Sequence, residues 1–187
     1  MGDANLRLFR AINGWPESWA PFWQFFSEAA NHLWFRLIML ALVVLMVALG
    51  KGPRETVLRA LIAFPIANGM TDLFKYVVPE PRPFQELSGV ILREGYSLSH
   101  GTASAHAANM AAVAIVFTLG LRWWGVPWVV VAVLTGISRV YVGVHYPYQV
   151  LLGWTCGIVA GVAVAMVWRL GESLYRNRTS QKVATTT

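Results

Sequence analysis

Three short stretches of this chain carry side chains that could do chemistry. The first is Lys75 with Arg82-Pro83 (KYVVPEPRP), the second Ala103-Ser104-Ala105-His106, and the third Ser138-Arg139 followed by His145 (SRVYVGVHYPYQ). Arg82 and Arg139 can each offer a two-pronged donor face to an oxyanion, and Lys75 adds a point charge. Residues 101–105 are small and should open a helix, whose free N–H groups and dipole favour an anion. The backbone N–H of Ala105 and the hydroxyl of Ser104 would be further donors there. Three cations near one helix start imply an anion with several oxygens. Two histidines, His106 and His145, can then supply a nucleophile and an acid. The competing reading is that the cations merely snorkel at helix ends, but the spacing set out below argues against it.

Those residues must be positioned by apolar helices. Five segments, 33–49, 56–74, 102–121, 127–144 and 150–170, are apolar enough, or nearly so, to cross a bilayer, which takes about 20 helical residues. Before them, residues 15–30 (WPESWAPFWQFFSEAA) are aromatic but short and interrupted by Pro16, Glu17 and Pro21. That stretch either lies in the interface or forms a sixth crossing. The expected fold is all-α: a polytopic transmembrane bundle of five or six helices in one domain over 1–187. Within it, 1–32 is amphipathic and interfacial or a first crossing, and 177–187 is a polar, frayed tail. Gly153, Gly157 and Gly161 recur every four residues, on one helix face that permits close approach of a neighbour. Pro65 is expected to kink the second segment.

The 77–99 linker, with Pro79, Pro81 and Pro83 in or beside its charged run, joins the second and third segments on one side of the membrane. The 144–149 turn returns to that side two crossings later. Lys51, Arg54, Arg122, Arg169, Arg176, Arg178 and Lys182 fall on the other side, which the positive-inside rule makes cytoplasmic. All three reactive stretches then meet at one outward-facing surface. This predicts a multi-pass protein of the inner or plasma membrane whose site faces the periplasm or the exterior.

Composition agrees with that class. The chain is 56% apolar and only 13% charged, with a mean hydropathy of +0.51; a soluble domain carries nearer a quarter charged residues. The net charge of +6 is explained by basic residues flanking membrane segments, and no soluble basic domain is present to bind nucleic acid. Cys156, the single cysteine, lies in an apolar run and has neither an intrachain partner nor a CxxC pattern.

The spacing Lys-x6-Arg-Pro, then a Pro-Ser-Gly-His-like box, then Ser-Arg-x5-His resembles the signature of the type 2 phosphatidic acid phosphatases, whose anion pocket is like that of the vanadium haloperoxidases. The resemblance rests on Lys75, Arg82, Pro83, Ser104, His106, Ser138, Arg139 and His145, in order and at matching internal spacings. It implies that His145 attacks phosphorus to form a phosphohistidine. His106 would protonate the leaving oxygen and later activate water. Lys75, Arg82, Ser104, Ala105 and Arg139 would bind the phosphoryl oxygens. The family needs no metal or other cofactor, and its substrates are anionic lipid phosphates in the bilayer. A compact chain with an outward site is most similar to bacterial undecaprenyl diphosphate phosphatases; phosphatidylglycerophosphate, phosphatidate and lipid A phosphatases carry the same boxes.

Two departures stand out. The consensus Pro and Gly of the second box are Ala103 and Ala105, and Ala105 still offers its backbone N–H. More consequential is Gln149, where the family has an aspartate that orients the nucleophile. An amide can accept a hydrogen bond but brings no charge, and the comparable replacement in a serine-protease triad costs about 10⁴ in turnover. A non-catalytic lipid binder or flippase therefore stands as the rival reading; a haloperoxidase is disfavoured by the membrane spans. Asp72 and Glu80 are expected to pair with Lys75 or Arg82, Glu94 to be a solvated loop charge, and His32 and His100 to be interfacial. Tyr141, Tyr146 and Tyr148 are expected to serve packing. Oligomeric state is not legible in these motifs.

Overall fold

A computed structural model describes residues 2–96 and 98–184, and every regular element in that part is helical. Residues 185–187 of the expected tail, Ser97 of the linker and the side chain of Lys182 lie outside the described residues. The chain is an integral membrane protein. Helix α1 (Asp3–Asn13) is amphipathic and buries Phe9 and Asn13. After a 3-10 turn comes α2 (Ala20–Glu28), with proline in its first turn, where no backbone N–H is needed. Helix α3 (Leu33–Ala48) is apolar apart from Arg36 in its first turn and has no buried residue, the pattern of a helix facing lipid.

The bundle proper consists of α4 (Lys51–Val77), α6 (Ala105–Leu121), α7 (Val126–Tyr141) and α8 (Pro147–Ala184), with the single-turn α5 (Pro83–Glu86) in the linker. Helix α6 is central, packing against α4, α7 and α8. Close approach is possible because the contact is built from small residues: Ala63 and Ala67 of α4, Ala108 and Ala112 of α6, Ala160 of α8. The glycine stripe of α8 lies on this seam. A methyl group at Gly153, Gly157 or Gly161 would meet the carbonyls of Ser104, Ala108 and Ala112 respectively. Without a strong hydrophobic drive between helices in lipid, such backbone-close van der Waals contact holds them together.

Helix boundaries match the sequence expectation at the split between α6 and α7 and depart from it at the C-terminus. By length and composition three helical stretches can cross a membrane: Lys51–Val77, Ala105–Tyr141 and Pro147–Thr179. A fourth arises if Glu17–Asn31 and Leu33–Ala48, bent by 67° to one another, are one broken span. The aromatic 15–30 stretch thus joins α3 in a bent pair. The Ala105–Tyr141 stretch is split by a 3-10 turn at Arg122–Gly125, and its halves α6 and α7 pack side by side. Helix α4 stays continuous through Pro65. Helix α8 runs on to Ala184, so the segment from Asn177 is helical where a frayed coil was expected. At 38 residues, α8 is about 57 Å long, well beyond a hydrocarbon core of about 30 Å.

Candidate active site

The C-terminal ends of α4 and α7 and the N-terminal ends of α6 and α8 meet at one end of the bundle. The 77–104 linker ties them together. Gly101 N–H donates to the Glu80 carbonyl at 2.8 Å, the Thr102 hydroxyl donates to the Val78 carbonyl at 2.6 Å, and Ser104 N–H donates to the Gln149 carbonyl at 3.0 Å. The N-terminal segment braces the opposite flank. Asn13 exchanges two hydrogen bonds with the backbone of Ile91, and buried Arg93 reaches the carbonyls of Asn13 and Tyr141 and the carboxylate of Glu17. No local pattern points to Arg93, because its partners are 48 to 80 residues away.

His145 sits in the α7–α8 turn and is 2% exposed. Its Nδ1 is 3.1 Å from the Gly101 carbonyl and 3.2 Å from Gln149 Oε1. A carbonyl can only accept, so Nδ1 carries the proton and Nε2 keeps its lone pair. Arg82 Nη1 donates toward that Nε2 at 3.2 Å. The ring is thereby fixed in the tautomer a nucleophile needs. Burial, with the charges of Arg139 and Arg82, lowers the His145 pKa well below its ordinary value. Gly101 must be small here: a methyl group would crowd Arg82 and both ends of the Gln149 amide, each at 3.0 Å.

Arg82 is buried and donates to the Ser99 carbonyl and hydroxyl, each at 2.8 Å, and to the Val144 carbonyl at 3.2 Å. Burial, and then the charge of Arg139, push its pKa down to about 10 despite the opposing Glu94. Arg139, 4% exposed, lies beside it electrostatically, with Nη1 donating to Glu94 at 2.6 and 2.7 Å and to the Ser27 hydroxyl at 2.6 Å. Its Nε is buried with no hydrogen-bond partner among the described residues, a donor that an anion could satisfy. Glu94 is therefore no solvated loop charge, because the linker folds back and buries it against Arg139 and Ser27. No spacing signal could have found that, since Ser27, Glu94 and Arg139 come from three separate parts of the chain.

The remaining site residues are placed as follows. Ser104 is the N-cap of α6, accepting from the Ala107 N–H at 3.4 Å, and is fully buried. Its hydroxyl thus serves the helix start before any ligand. Ala105 and His106 are the first two residues of α6, where backbone N–H groups have no intrahelical acceptor. The His106 ring feels the charges of Arg139, Glu94, Arg82 and Lys75 together, but makes no direct bond to His145. Lys75 donates to Asp72 at 2.9 Å, the expected pairing. Glu80 pairs with neither cation and accepts from the Tyr148 hydroxyl at 2.5 Å. It also lines a cavity open to solvent, which offers its charge hydration in place of a cation. His32 stacks on Trp34 and His100 is exposed. Tyr141 and Tyr146 are fully buried packing residues; burial and a hydrogen bond to Glu86 raise the Tyr146 pKa.

Comparison with known proteins gives the family. The sequence model of the PAP2 superfamily matches residues 56–172. The chain is 32% identical over 128 residues to the undecaprenyl-diphosphatase of Sulfolobus acidocaldarius, covering 68% of this chain and 59% of that protein. It is 28% identical over 181 residues to the putative undecaprenyl-diphosphatase YbjG of Escherichia coli, covering 93% and 88% of the two chains. Its fold is similar to the crystal structure of Aquifex aeolicus LpxE, with a TM-score of 0.74 at 24% identity over 88% of this chain and 96% of that one. The matched stretch holds every residue from Lys75 to Gln149 discussed above, and this chain belongs to the PAP2 superfamily.

Proposed function

We propose that the protein is a metal-independent lipid phosphatase that cleaves a long-chain isoprenyl diphosphate, undecaprenyl diphosphate by analogy with the relatives named for it. The observation that carries this reading is the His145 ring, with its proton on Nδ1 and its Nε2 lone pair turned toward Arg82. In the first step Nε2 bonds to phosphorus as the bond from phosphorus to the lipid-side oxygen breaks, and His106 gives that oxygen its proton. In the second, water attacks the phosphohistidine, His106 takes the water's proton, and the N–P bond breaks to release inorganic phosphate. Arg82, Arg139, Lys75 and the N–H groups of Ala105 and His106 stabilise the charge that builds on the equatorial oxygens. The Ser104 hydroxyl supports them by fixing the helix start and keeps a proton to donate. The site faces outward from the inner or plasma membrane, on the side away from Arg122, Arg169, Arg176 and Arg178.

Phosphate release in detergent tests the reading, using a panel of isoprenyl diphosphate, phosphatidylglycerophosphate, phosphatidate and lipid A phosphate. Turnover fastest on the isoprenyl diphosphate is the expected result. Fastest turnover on another lipid moves the substrate assignment, and no release from any of them replaces the enzyme with a lipid binder.

A further inference from the structure

The buried amide of Gln149 connects His145 to a carboxylate on another part of the chain. Gln149 Oε1 lies 3.2 Å from His145 Nδ1 and accepts the Tyr146 N–H at 3.1 Å. At its other end, Nε2 donates to the Pro81 carbonyl and to the Tyr148 hydroxyl, each at 3.2 Å. The Tyr148 hydroxyl spends its one proton on Glu80 Oε2, at 2.5 Å. No bond in this chain can be reversed. The Tyr146 N–H can only donate, the Pro81 carbonyl can only accept, and an ionised carboxylate has no proton to give.

We infer that Glu80 and Tyr148 are positioning residues for the attack by His145, with the Glu80 charge transmitted through Tyr148 and the Gln149 amide to Nδ1. The inference rests on the reading of His145 as the nucleophile. A phenol that donates to a carboxylate becomes a better acceptor, and an amide whose N–H groups donate becomes a better acceptor at its oxygen. Such chains strengthen each bond by about a tenth to a third. The Gln149 oxygen therefore gains negative character where positive charge grows on the imidazole. Glu80 itself borders a cavity of about 440 Å³, open to solvent, that Asn5, Pro81, Glu86 and Tyr148 also line. The charge is kept where water can carry it and is delivered to a residue that is 0% exposed. A carboxylate at position 149 would face the Pro81 carbonyl without a donor, whereas the glutamine amide satisfies both neighbours.

The test is a kinetic cycle on the full chain in detergent, with a long-chain isoprenyl diphosphate as substrate. Tyr148→Phe and Glu80→Gln should each lower kcat on the order of tenfold, the scale of one lost buried hydrogen bond. KM should stay within about twofold, because the bond matters most in the transition state. The double variant should be no slower than the slower single one. Against a Gln149→Asp background, where the charge sits on the residue itself, neither change should cost more than about twofold. Unchanged kcat in both variants, a loss confined to KM, or losses that persist undiminished in Gln149→Asp would overturn the inference. A readout without turnover separates this from the nucleophile assignment. The His145 Nδ1–H resonance in ¹⁵N-histidine protein, assigned by its loss in His145→Ala, should move upfield in Tyr148→Phe and Glu80→Gln. A resonance that does not move removes the relay. Phosphate release surviving in His145→Ala removes the nucleophile instead.

Discussion

Arg82 and His145 meet through a 3.2 Å contact between Nη1 and Nε2, both residues almost wholly buried. The guanidinium that would bind a phosphoryl oxygen thus also caps the nitrogen proposed to attack. A phosphate drawing the guanidinium to itself would uncover the lone pair, so ligand binding and nucleophile exposure are one event. Arg82→Lys should lower kcat/KM by about 10² or more, since a single ammonium cannot hold Ser99, Val144 and a phosphate together. The check is kcat/KM beside an unchanged helical circular dichroism signal; a loss below threefold would reject the coupling.

The low pKa of His145 gives a pH prediction with a definite sign. A histidine held neutral by its fold favours the folded state fully above its unfolded pKa, near 6.5. That contribution is lost as pH falls from there toward the depressed folded value. The free enzyme should therefore keep a neutral nucleophile well below pH 6.5. With an activated leaving group, single-turnover formation of phosphohistidine should show no fall centred near 6.5. A half-maximal rate at that pH would mean the ring is ordinarily solvated.

His106 makes no direct bond to His145 and sits at the start of α6, open enough to meet a leaving group. As the acid, it should matter in proportion to how badly the leaving oxygen needs a proton. His106→Ala should cost about 10² or more on an alkyl diphosphate and far less on a nitrophenyl ester. Equal losses on the two substrates would place His106 outside proton transfer.

Buried Arg139 pairs at 2.6 Å with the half-buried Glu94, so an incoming phosphate would compete with a carboxylate for one guanidinium. Glu94→Gln leaves Arg139 without its counter-charge, a loss that stays below the roughly 3–5 kcal/mol of a fully buried pair because solvent reaches Glu94. Inorganic phosphate or vanadate should restore much of that stability by taking the carboxylate's place. Thermal melts with and without the anion check this. A variant that melts with the parent protein, or that gains no more from phosphate than the parent does, would sink the competition.

Much of the site was legible because its residues keep fixed spacings within short segments: Lys75 to Arg82, Ser104 to His106, Arg139 to His145. Each spacing is set by one helix end and its adjoining turn, so local sequence suffices. The missing family aspartate was equally plain at Gln149. What the sequence could not show were contacts between segments far apart in the chain: Glu94 on Arg139, Arg93 under the N-terminal turn, and Glu80 reached through Tyr148. The breaks between helices were legible as well: the turn at Arg122–Gly125 falls between the 102–121 and 127–144 segments, and the 67° bend before Leu33 falls between the 15–30 stretch and the 33–49 segment. What hydropathy left open is whether the aromatic stretch crosses, because it reports apolar length and not direction.

The glycine stripe of α8 ties packing to chemistry, and Gly153 is where the two meet. A methyl group there would strike the carbonyl of Ser104 and crowd Ala107. Ser104 is the cap of α6, and its neighbour Ala105 opens the helix at the turn proposed to face the phosphate. Gly153→Ala should therefore displace the helix start as well as loosen the α6–α8 seam, costing about 1–3 kcal/mol of stability by overpacking. Gly171 lies on the same helix with nothing within 4 Å of an added Cβ, and Gly171→Ala should stabilise by about 0.4–1 kcal/mol through reduced chain entropy. The two variants change the same chemical group on the same helix, so propensity alone predicts the same stabilising sign for both. Melting temperature and kcat measured for each separate the accounts. Gly153→Ala should lose both stability and turnover, while Gly171→Ala keeps turnover and melts slightly higher. Matching behaviour of the pair would mean that the α6–α8 contact does not position the site.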